Sequence, residues 1–518
     1  MASIDVVFSP LEIGNAPDVE ALVYKKVKSK GIRVISKSFI DARKKDNVKV
    51  IYRVDTLSDK EYQEHLKHNV DEAMPLSGRS VKDNGDRPVI VGFGPAGMYA
   101  GLILARYGLR PIILEKGSAV DKRSSDVATY RTSGVINSDS NIQFGEGGAG
   151  TFSDGKLYTG VSSGLKGFIA DVMVKYGAPY DIMYDSHPHV GTDNLVNVVK
   201  GIREEIISLG GEVKFDTTLT DIVINDGRVC GVMTSAGEMP CNKLILAIGH
   251  SSRETVRMLY NRGVIMESKP FSVGVRIEHL RSIIDKSQYG FDTADYKNIF
   301  AANYKLAVDT VTGIKLYTFC MCPGGEVIAA ASSPETICTN GMSYRARDGR
   351  NSNAALLVPV SSNDYGDGVL DGILFQEKLE AAAYVAGGSD YSAPVSTYGA
   401  LMGRGTSIGS VVPTYTPGFK ETDLREVLPS FVVETLQDGI ARMGRKIKGF
   451  DMDEAVLTAV EARSSSPVRV LRDRETYESV NTFGLYLSGE GAGYAGGIMS
   501  SAIDGIKCAN CLAENMLN

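Results

Sequence analysis

The 518-residue chain has no apolar run long enough to span a bilayer, which excludes a membrane-crossing helix. Its start, Met1-Ala2-Ser3-Ile4-Asp5, lacks a basic stretch followed by an apolar block. No secretory leader is read there, and a cytoplasmic location is expected. Cysteine is scarce: seven residues, an odd number, suit reduced thiols better than a disulfide framework. A zinc site would need a second ligand pair at suitable spacing, and His187-Pro188-His189 is the only other cluster, so no metal is expected. The net charge of −6 argues against the whole chain binding a polyanion. No internal repeat or low-complexity segment is visible. What remains is ordinary for a globular protein, with 43% hydrophobic and 23% charged residues. At roughly 100–200 residues per domain, two to four domains are expected.

Residues 1–82 read as a small α+β domain. Ile4 to Phe8, Ile32 to Ile35 and Lys49 to Val54 suit strands, and Asp18 to Lys30 suits a helix. Polar Ser80 to Arg87, with Asn84-Gly85, suits a linker. An α/β domain follows over 83–262. It opens with the buried strand Pro88 to Val91, a glycine turn, a helix from about Ala96 to Tyr107 with Gly108 past its end, and the strand Pro111 to Glu115. From Glu212 the pattern changes to short strands, with turns at Asp226-Gly227 and Ala236-Gly237, ending in Leu244 to Ile248. Residues 263–439 begin with the alternating strand Phe271 to Ile277 and read as an inserted domain. Residues 440–518 return to the α/β domain.

The turn Gly92-Phe93-Gly94-Pro95-Ala96-Gly97 follows a buried strand and opens a helix. Gly92 allows the tight turn, Gly94 lets backbone approach a pyrophosphate, and Gly97 lets the helix pack on the strand. The helix start offers free N–H groups and about half a positive charge to phosphate. Glu115 lies 23 residues beyond Gly92, at the end of the second strand, where a carboxylate accepts from both ribose hydroxyls and repels a 2′-phosphate. Three further segments favour FAD over NAD. Leu246-Ala247-Ile248-Gly249 ends a strand after a β-meander. The loop Asn141 to Leu157 carries Gly145, Gly147, Gly148, Gly150 and Gly155, which lets backbone pack against a flat ring. Gly489-Glu490-Gly491-Ala492-Gly493-Tyr494-Ala495-Gly496-Gly497-Ile498 follows a strand and precedes a helix aimed at the place where charge gathers on reduction. The expected FAD contacts are therefore Gly92, Gly94, Pro95, Ala96 and Gly97. Glu115, Lys116, Arg123, Gly147, Gly148, Thr151 and Ser153 follow, then Gly249, Gly489, Glu490, Gly496, Gly497 and Ile498.

These motifs occur together with Ser38-Phe39-Ile40-Asp41-Ala42-Arg43-Lys44-Lys45, Cys320-Met321-Cys322-Pro323-Gly324-Gly325, Thr339 to Tyr344 and Glu461 to Arg469. From about Ser38 to the C-terminus the chain resembles the bacterial family of poorly characterised FAD-dependent dehydrogenases, often labelled NAD-utilising. The resemblance implies FAD and an oxidoreductase of the two-dinucleotide-fold type, and no settled substrate. Glu490 departs from the aspartate usual in FAD proteins. The expected fold class is α/β: a Rossmann-type FAD-binding domain, an inserted α+β substrate or cap domain, and the small N-terminal α+β domain.

Flavin does the redox chemistry, so the protein orients substrate and tunes the ring. Lys156, His250, Arg276 and Arg463 are candidates for the substrate pocket, each weighed against a structural role. Cys320-Met321-Cys322 and Cys508 to Cys511 do not follow the first glycine turn, where a disulfide reductase keeps its pair, so that reading is set aside. No second strand–glycine turn–helix unit is evident, so NAD(P)H, if used, is a transient donor without its own domain. The leading reading is an FAD-dependent oxidoreductase acting on a small molecule. Two alternatives stand beside it. One is an RNA-associated flavoprotein, since Lys25 to Lys49 holds ten Lys or Arg against two Asp. The other is a non-enzymatic FAD-binding module.

Overall fold

In a computed structural model, the structure describes residues 2–79 and 86–517. Most of the linker expected at Ser80 to Arg87 lies outside them. Arg87, at its end, donates from Nε to the Arg110 carbonyl at 2.7 Å. No helix among the described residues is long and apolar enough to cross a membrane.

The N-terminal unit is an antiparallel sheet of three strands, with Lys49–Leu57 between Ala2–Phe8 and Ile32–Asp41. The helix Val19–Lys26 starts on Asp18, whose side chain accepts from the Ala21 N–H at 2.8 Å. Asp59–Ala73 opens with a Ser58/Glu61 capping box. Val6, Phe8, Val23, Val50, Tyr52 and Val54 pack together with Tyr184 and Ile299, so this unit leans on the body of the protein. Ser38 seals that contact: its N–H donates to the Tyr184 carbonyl, and its carbonyl accepts from Ser186. Several cations of the basic stretch are engaged locally. Arg43 pairs with Asp41, Arg33 donates to the Tyr24 and Val27 carbonyls, and Lys26 sits over the Phe8 ring.

The second unit is built on a parallel sheet of five strands. Their order is Leu485–Leu487, Leu244–Leu246, Val89–Val91, Ile112–Leu114, Glu212–Lys214. Between the strands Val89–Val91 and Ile112–Leu114 runs the helix Pro95–Arg106. Every residue from Ala96 to Ala105 is buried, because the sheet covers one side and the C-terminal helix Ile498–Glu514 another. Each buried Leu or Ile here contributes about 1.5–3 kcal/mol. The two helices meet so closely that a Cβ on Gly505 would lie 2.1 Å from the Ala96 carbonyl oxygen. A three-stranded meander, Leu219–Asn225, Arg228–Thr234 and Gly237–Pro240, hangs from this unit. Asp226 and Gly227 both take positive φ at its first turn.

The third unit is a sheet of seven strands. Their order is Ala307–Asp309, Lys315–Cys322, Asn351–Val360, Phe271–Leu280, Val456–Glu461, Ala393–Thr397, Phe419–Glu421. The strand Phe271–Leu280 alternates in sequence, which suggests one wet face, yet it is buried on both sides. Phe271, Val273, Val275 and Ile277 enter the hydrophobic core, while Ser272, Gly274, Arg276 and Glu278 point to the opposite face, which is also covered. The boundary expected at 439/440 is corrected. It cuts the helix Ser430–Gly444, whose Val432, Leu436, Ile440 and Met443 pack on this sheet, and it strands Val456–Glu461 on the wrong side. The chain leaves the sheet only after Glu461, and Val468–Val470 then pairs with Met266–Ser268 beneath the second unit.

Candidate functional site

The glycine turn is shaped by two different demands. Gly92 has φ +97°, and a Cβ there would lie 2.4 Å from the Ala247 carbonyl oxygen. A Cβ on Gly97 would lie 2.0 Å from the Gly92 carbonyl oxygen. These two glycines are required by the protein itself. Gly94 is not: its φ is −76°, and the nearest atom to an added Cβ is 3.7 Å away. Gly496 and Gly497 likewise have nothing within 4 Å of an added Cβ.

The empty side of these glycines is a cavity of about 660 Å³ between the five-stranded and seven-stranded sheets. That size suits a bound organic cofactor or ligand. Two helix starts, Pro95–Arg106 and Ile498–Glu514, contribute to its wall, and neither has a side-chain cap. Their first-turn N–H groups and partial positive charge are free to meet phosphate or developing negative charge. A cradle whose glycines leave room that no protein atom fills, beside two uncapped helix starts, fits FAD.

Glu115 lines the cavity but is already well held. Its Oε1 accepts from the N–H groups of Gly117 at 2.9 Å and Gly145 at 2.8 Å, and Oε2 accepts from Phe93 at 2.7 Å. A carboxylate has about four acceptor positions, so one is left for a ribose hydroxyl. The same carboxylate thus ties the glycine turn to the glycine-rich loop. Lys116 lines the cavity with its ammonium 4.7 Å from the Phe144 ring centre. Arg123 lies beneath the loop rather than on the cavity wall. It is fully buried and donates to the carbonyls of Asn141, Ile142 and Glu146. Burial lowers its pKa to about 10, against the pull of Glu115 and Glu146. Its cofactor contact is therefore corrected to a strut: with every carbonyl it holds, it shapes the loop from behind.

The opposite wall comes from the seven-stranded sheet and is rich in charge. Arg276 spends all its donors inside the protein. Nε and Nη2 clamp Glu461 at 2.9 and 3.0 Å, Nη2 also reaches Asn340, and Nη1 reaches the Cys320 carbonyl and Asn353. It does not line the cavity, so its candidacy as a substrate ligand is corrected. Burial raises the Glu461 carboxyl above its ordinary value, although Arg276 pulls the other way. Arg463 reaches the cavity but is bound in a second network. With Arg253 it sandwiches Glu380: four N–H···O contacts of 2.6 to 3.0 Å join the two guanidinium groups to one carboxylate. Burial opposes that charge, yet Arg463 and Arg253 hold Glu380 down to about 2. Arg463 also donates to Ser251 and Ser332, which leaves it a structural tie at the junction.

Lys156 stands on the cavity wall, 3.2 Å from Asp154. Burial works against its ammonium, but Asp154 outweighs that and raises its pKa above the ordinary lysine value. Arg347 grips the other side of Asp154. Burial opposes the Asp154 charge too, and Lys156 and Arg347 together hold its carboxyl below the usual carboxylate range. His250 lines the cavity with Nδ1 3.3 Å from Glu490, and its buried Nε2 has no partner.

Of the residues read from sequence, the cavity brings together Gly92, Gly94, Pro95, Ala96, Glu115, Lys116, Gly148, Ser153, Gly249, Glu490, Gly496, Gly497 and Ile498, with Lys156, His250 and Arg463. Gly97, Gly147, Thr151 and Gly489 are buried and stand behind the cavity wall, as do Arg123 and Arg276. Gly147 donates its N–H to the Phe93 carbonyl, Thr151 its hydroxyl to the Glu146 carbonyl, and Gly489 its N–H to Asp504. Sequence reading missed Asp154, Asn303, Tyr304, Lys305, Cys320 and Arg347 as cavity residues. Only Asp154, inside the glycine-rich loop, carried a local signal. Among the described residues, no group of three or more His, Cys, Asp or Glu is placed to hold a metal ion.

Residues 270–464 match the family model described as "FAD-dependent protein, C-terminal domain-like". A protein of Clostridium beijerinckii, described as uncharacterized, is 46% identical over 494 residues, covering 93% of this chain and 92% of that one. The chain belongs to one family with that protein over nearly its whole length, and its residues 270–464 carry the FAD-dependent C-terminal-like domain. Solved structures with similarity include glycine oxidase from Bacillus cereus, at 13% identity and TM-score 0.34, covering 84% of this chain and 98% of that one. L-Proline dehydrogenase from P. horikoshii stands at 10% identity and TM-score 0.35, covering 83% and 94%. Likeness at that level carries nothing about the substrate.

Proposed function

We propose that this FAD-dependent oxidoreductase acts on a small molecule in the 660 Å³ cavity, with FAD along the five-stranded sheet and substrate toward the seven-stranded one. The observation that carries this is a single cavity with two unlike walls, one of glycine backbone and helix starts, the other of charged side chains. Bound FAD supplies the hydride or electron chemistry. The chain does the rest. Gly94, Pro95 and Ala96 offer backbone to the pyrophosphate, and the remaining acceptor site of Glu115 takes a ribose hydroxyl. The start of Ile498–Glu514 and the ammonium of Lys156 stabilise negative charge that gathers on reduction. His250 donates from or accepts at its unpartnered Nε2. Lys305, Asn303 and Tyr304 meet the substrate.

Reduced nicotinamide acts, in this reading, as a transient donor that enters the same cavity. Among the described residues, both strand–glycine segment–helix runs of the parallel sheet, at Gly92 and at Gly489, serve FAD in this reading. A cytoplasmic location goes with this reading. The test is direct. Purified protein is yellow and releases FAD on denaturation, and Gly94→Val, which fills the pyrophosphate position, loses the flavin while staying folded. Anaerobic bleaching by NADH, NADPH and candidate metabolites then identifies the donor. A colourless protein that cannot be reconstituted with FAD overturns the proposal.

A further inference from the structure

The strand Lys315–Cys322 is irregular where it meets the cavity. Its register to Asn351–Val360 shifts between Phe319 and Cys322, and Cys320 takes φ +41°, a left-handed conformation that a residue with a Cβ adopts at a cost. In a regular strand, residues two apart share a face but stand about 6.6–6.8 Å apart at Cα, the upper edge of what a disulfide spans. The register shift after Phe319 takes the segment through Cys322 out of that regular strand geometry. Cys320 lines the cavity and is half-buried, while Cys322 is fully buried behind it. The Lys156 ammonium lies 3.7 Å from Cys322 Sγ, and the Arg276 guanidinium holds the Cys320 carbonyl at 2.9 Å. The bend at Cys320 therefore lies on the wall facing the FAD cradle, with Lys156 beside it and Cys322 and Arg276 gathered behind. The other close pair, Cys508 and Cys511, sits on the C-terminal helix and does not line the cavity.

We propose that Cys320 and Cys322 are a redox-active dithiol that exchanges two electrons with FAD in this cavity. The inference rests on the cavity reading above and adds a second redox centre to it. The Cys320 thiol is held well below its ordinary pKa, chiefly by a hydrogen bond from Cys322, with Lys156 and Arg276 assisting and burial opposing. That same bond and burial push Cys322 up, so the two sulfurs share one acidic and one retained proton while the Lys156 ammonium stands against the pair. The step balances. One thiolate and one thiol form a single Sγ–Sγ bond, the remaining S–H bond breaks, and its proton and the pair of electrons go to FAD. The reverse step reopens the disulfide. Lys156 faces the negative charge in both states, first on sulfur and then on the reduced cofactor.

The experiment is an anaerobic dithionite titration of holoprotein pre-oxidised with diamide, with FAD content measured on the same sample. Flavin alone takes one two-electron equivalent, and flavin plus the pair takes two. Wild type is expected to take two equivalents, and Cys320→Ser and Cys322→Ser one each, with unchanged FAD content. Mass spectrometry of wild type adds a readout that needs no variant. After diamide, the peptide carrying both residues is lighter by two hydrogens and resists alkylation; after reduction it accepts two alkyl groups. A yellow wild type that takes one equivalent, with both cysteines still alkylated after diamide, overturns the dithiol and leaves the FAD reading standing. A colourless protein overturns both.

Discussion

The two walls of the cavity are made by different means. On the five-stranded side, the cavity-facing groups are mostly main chain: the glycine turn, the loop with Gly148, and the start of Ile498–Glu514. The side chains that matter most there, Glu115 and Arg123, bind backbone N–H and carbonyl groups and so shape the loops. On the opposite side, the wall is braced by charged side chains that bind each other, some on it and some behind it: Arg276 with Glu461, Arg463 and Arg253 with Glu380, Arg347 and Lys156 with Asp154. A backbone cradle suits a cofactor whose shape does not vary. A wall braced by interlocked ions suits a surface that stays rigid while presenting a few groups to the cavity, and here those include Lys305, Tyr304 and Cys320.

The largest effect that sharpens this contrast comes from two neighbouring glycines. Gly97→Ala drives a Cβ into the Gly92 carbonyl and is expected to leave no folded, flavin-bearing protein. Gly94→Ala keeps the circular dichroism spectrum and melting temperature of the apo form and weakens FAD binding alone. If both variants fold and melt alike, the distinction between protein-required and cofactor-required glycines fails. On the opposite wall, Glu380→Gln leaves two buried guanidinium groups facing a neutral amide. The expected loss is about 3–5 kcal/mol in urea unfolding. A loss below about 1 kcal/mol, the value for an exposed pair, would mean that this wall is not held by its ions.

The smallest effect is a pH dependence of stability to which buried His279, in the seven-stranded unit, contributes alongside buried His189. His279 is buried, with Nε2 2.8 Å from the Phe450 carbonyl, and burial pushes its pKa from 6.5 down to about 4. The folded state therefore resists a proton that the unfolded chain accepts. Its contribution to stability is present above pH 6.5 and is lost progressively as pH falls toward 4. Glu380, held down to about 2, follows the same sign at lower pH, its contribution fading below 4.5. His279→Gln removes the upper part of this slope in thermal melts between pH 7 and 4 and leaves the part below. An unchanged slope would assign it to other groups.

The alternating strand Phe271–Leu280 shows where reading the sequence stops. Its period of two identified the core face correctly, with Val273, Val275 and Ile277 inward. The second face carries the polar Ser272, Arg276 and Glu278, and by sequence Arg276 reads as a substrate-pocket candidate. That face is buried because Glu461, Asn340 and Thr414 come from distant parts of the chain to meet them. The domain boundary failed for the same reason. Val456–Glu461 is too short to declare which sheet it joins, and only its pairing with Phe271–Leu280 decides.

Sequence by itself made the glycine turn and its acidic partner legible. The strand, glycine turn, helix and Glu115 lie within about 25 contiguous residues, so spacing and residue type specify both the local fold and the groups it exposes. Tertiary structure alone decided the other wall. Arg276 and Glu461 are 185 residues apart, Arg253 and Glu380 are 127, and Lys156 and Cys322 are 166. Whether an arginine there is a free substrate ligand or a spent structural tie depends on which carboxylate the folded chain carries to it, and no local pattern encodes that.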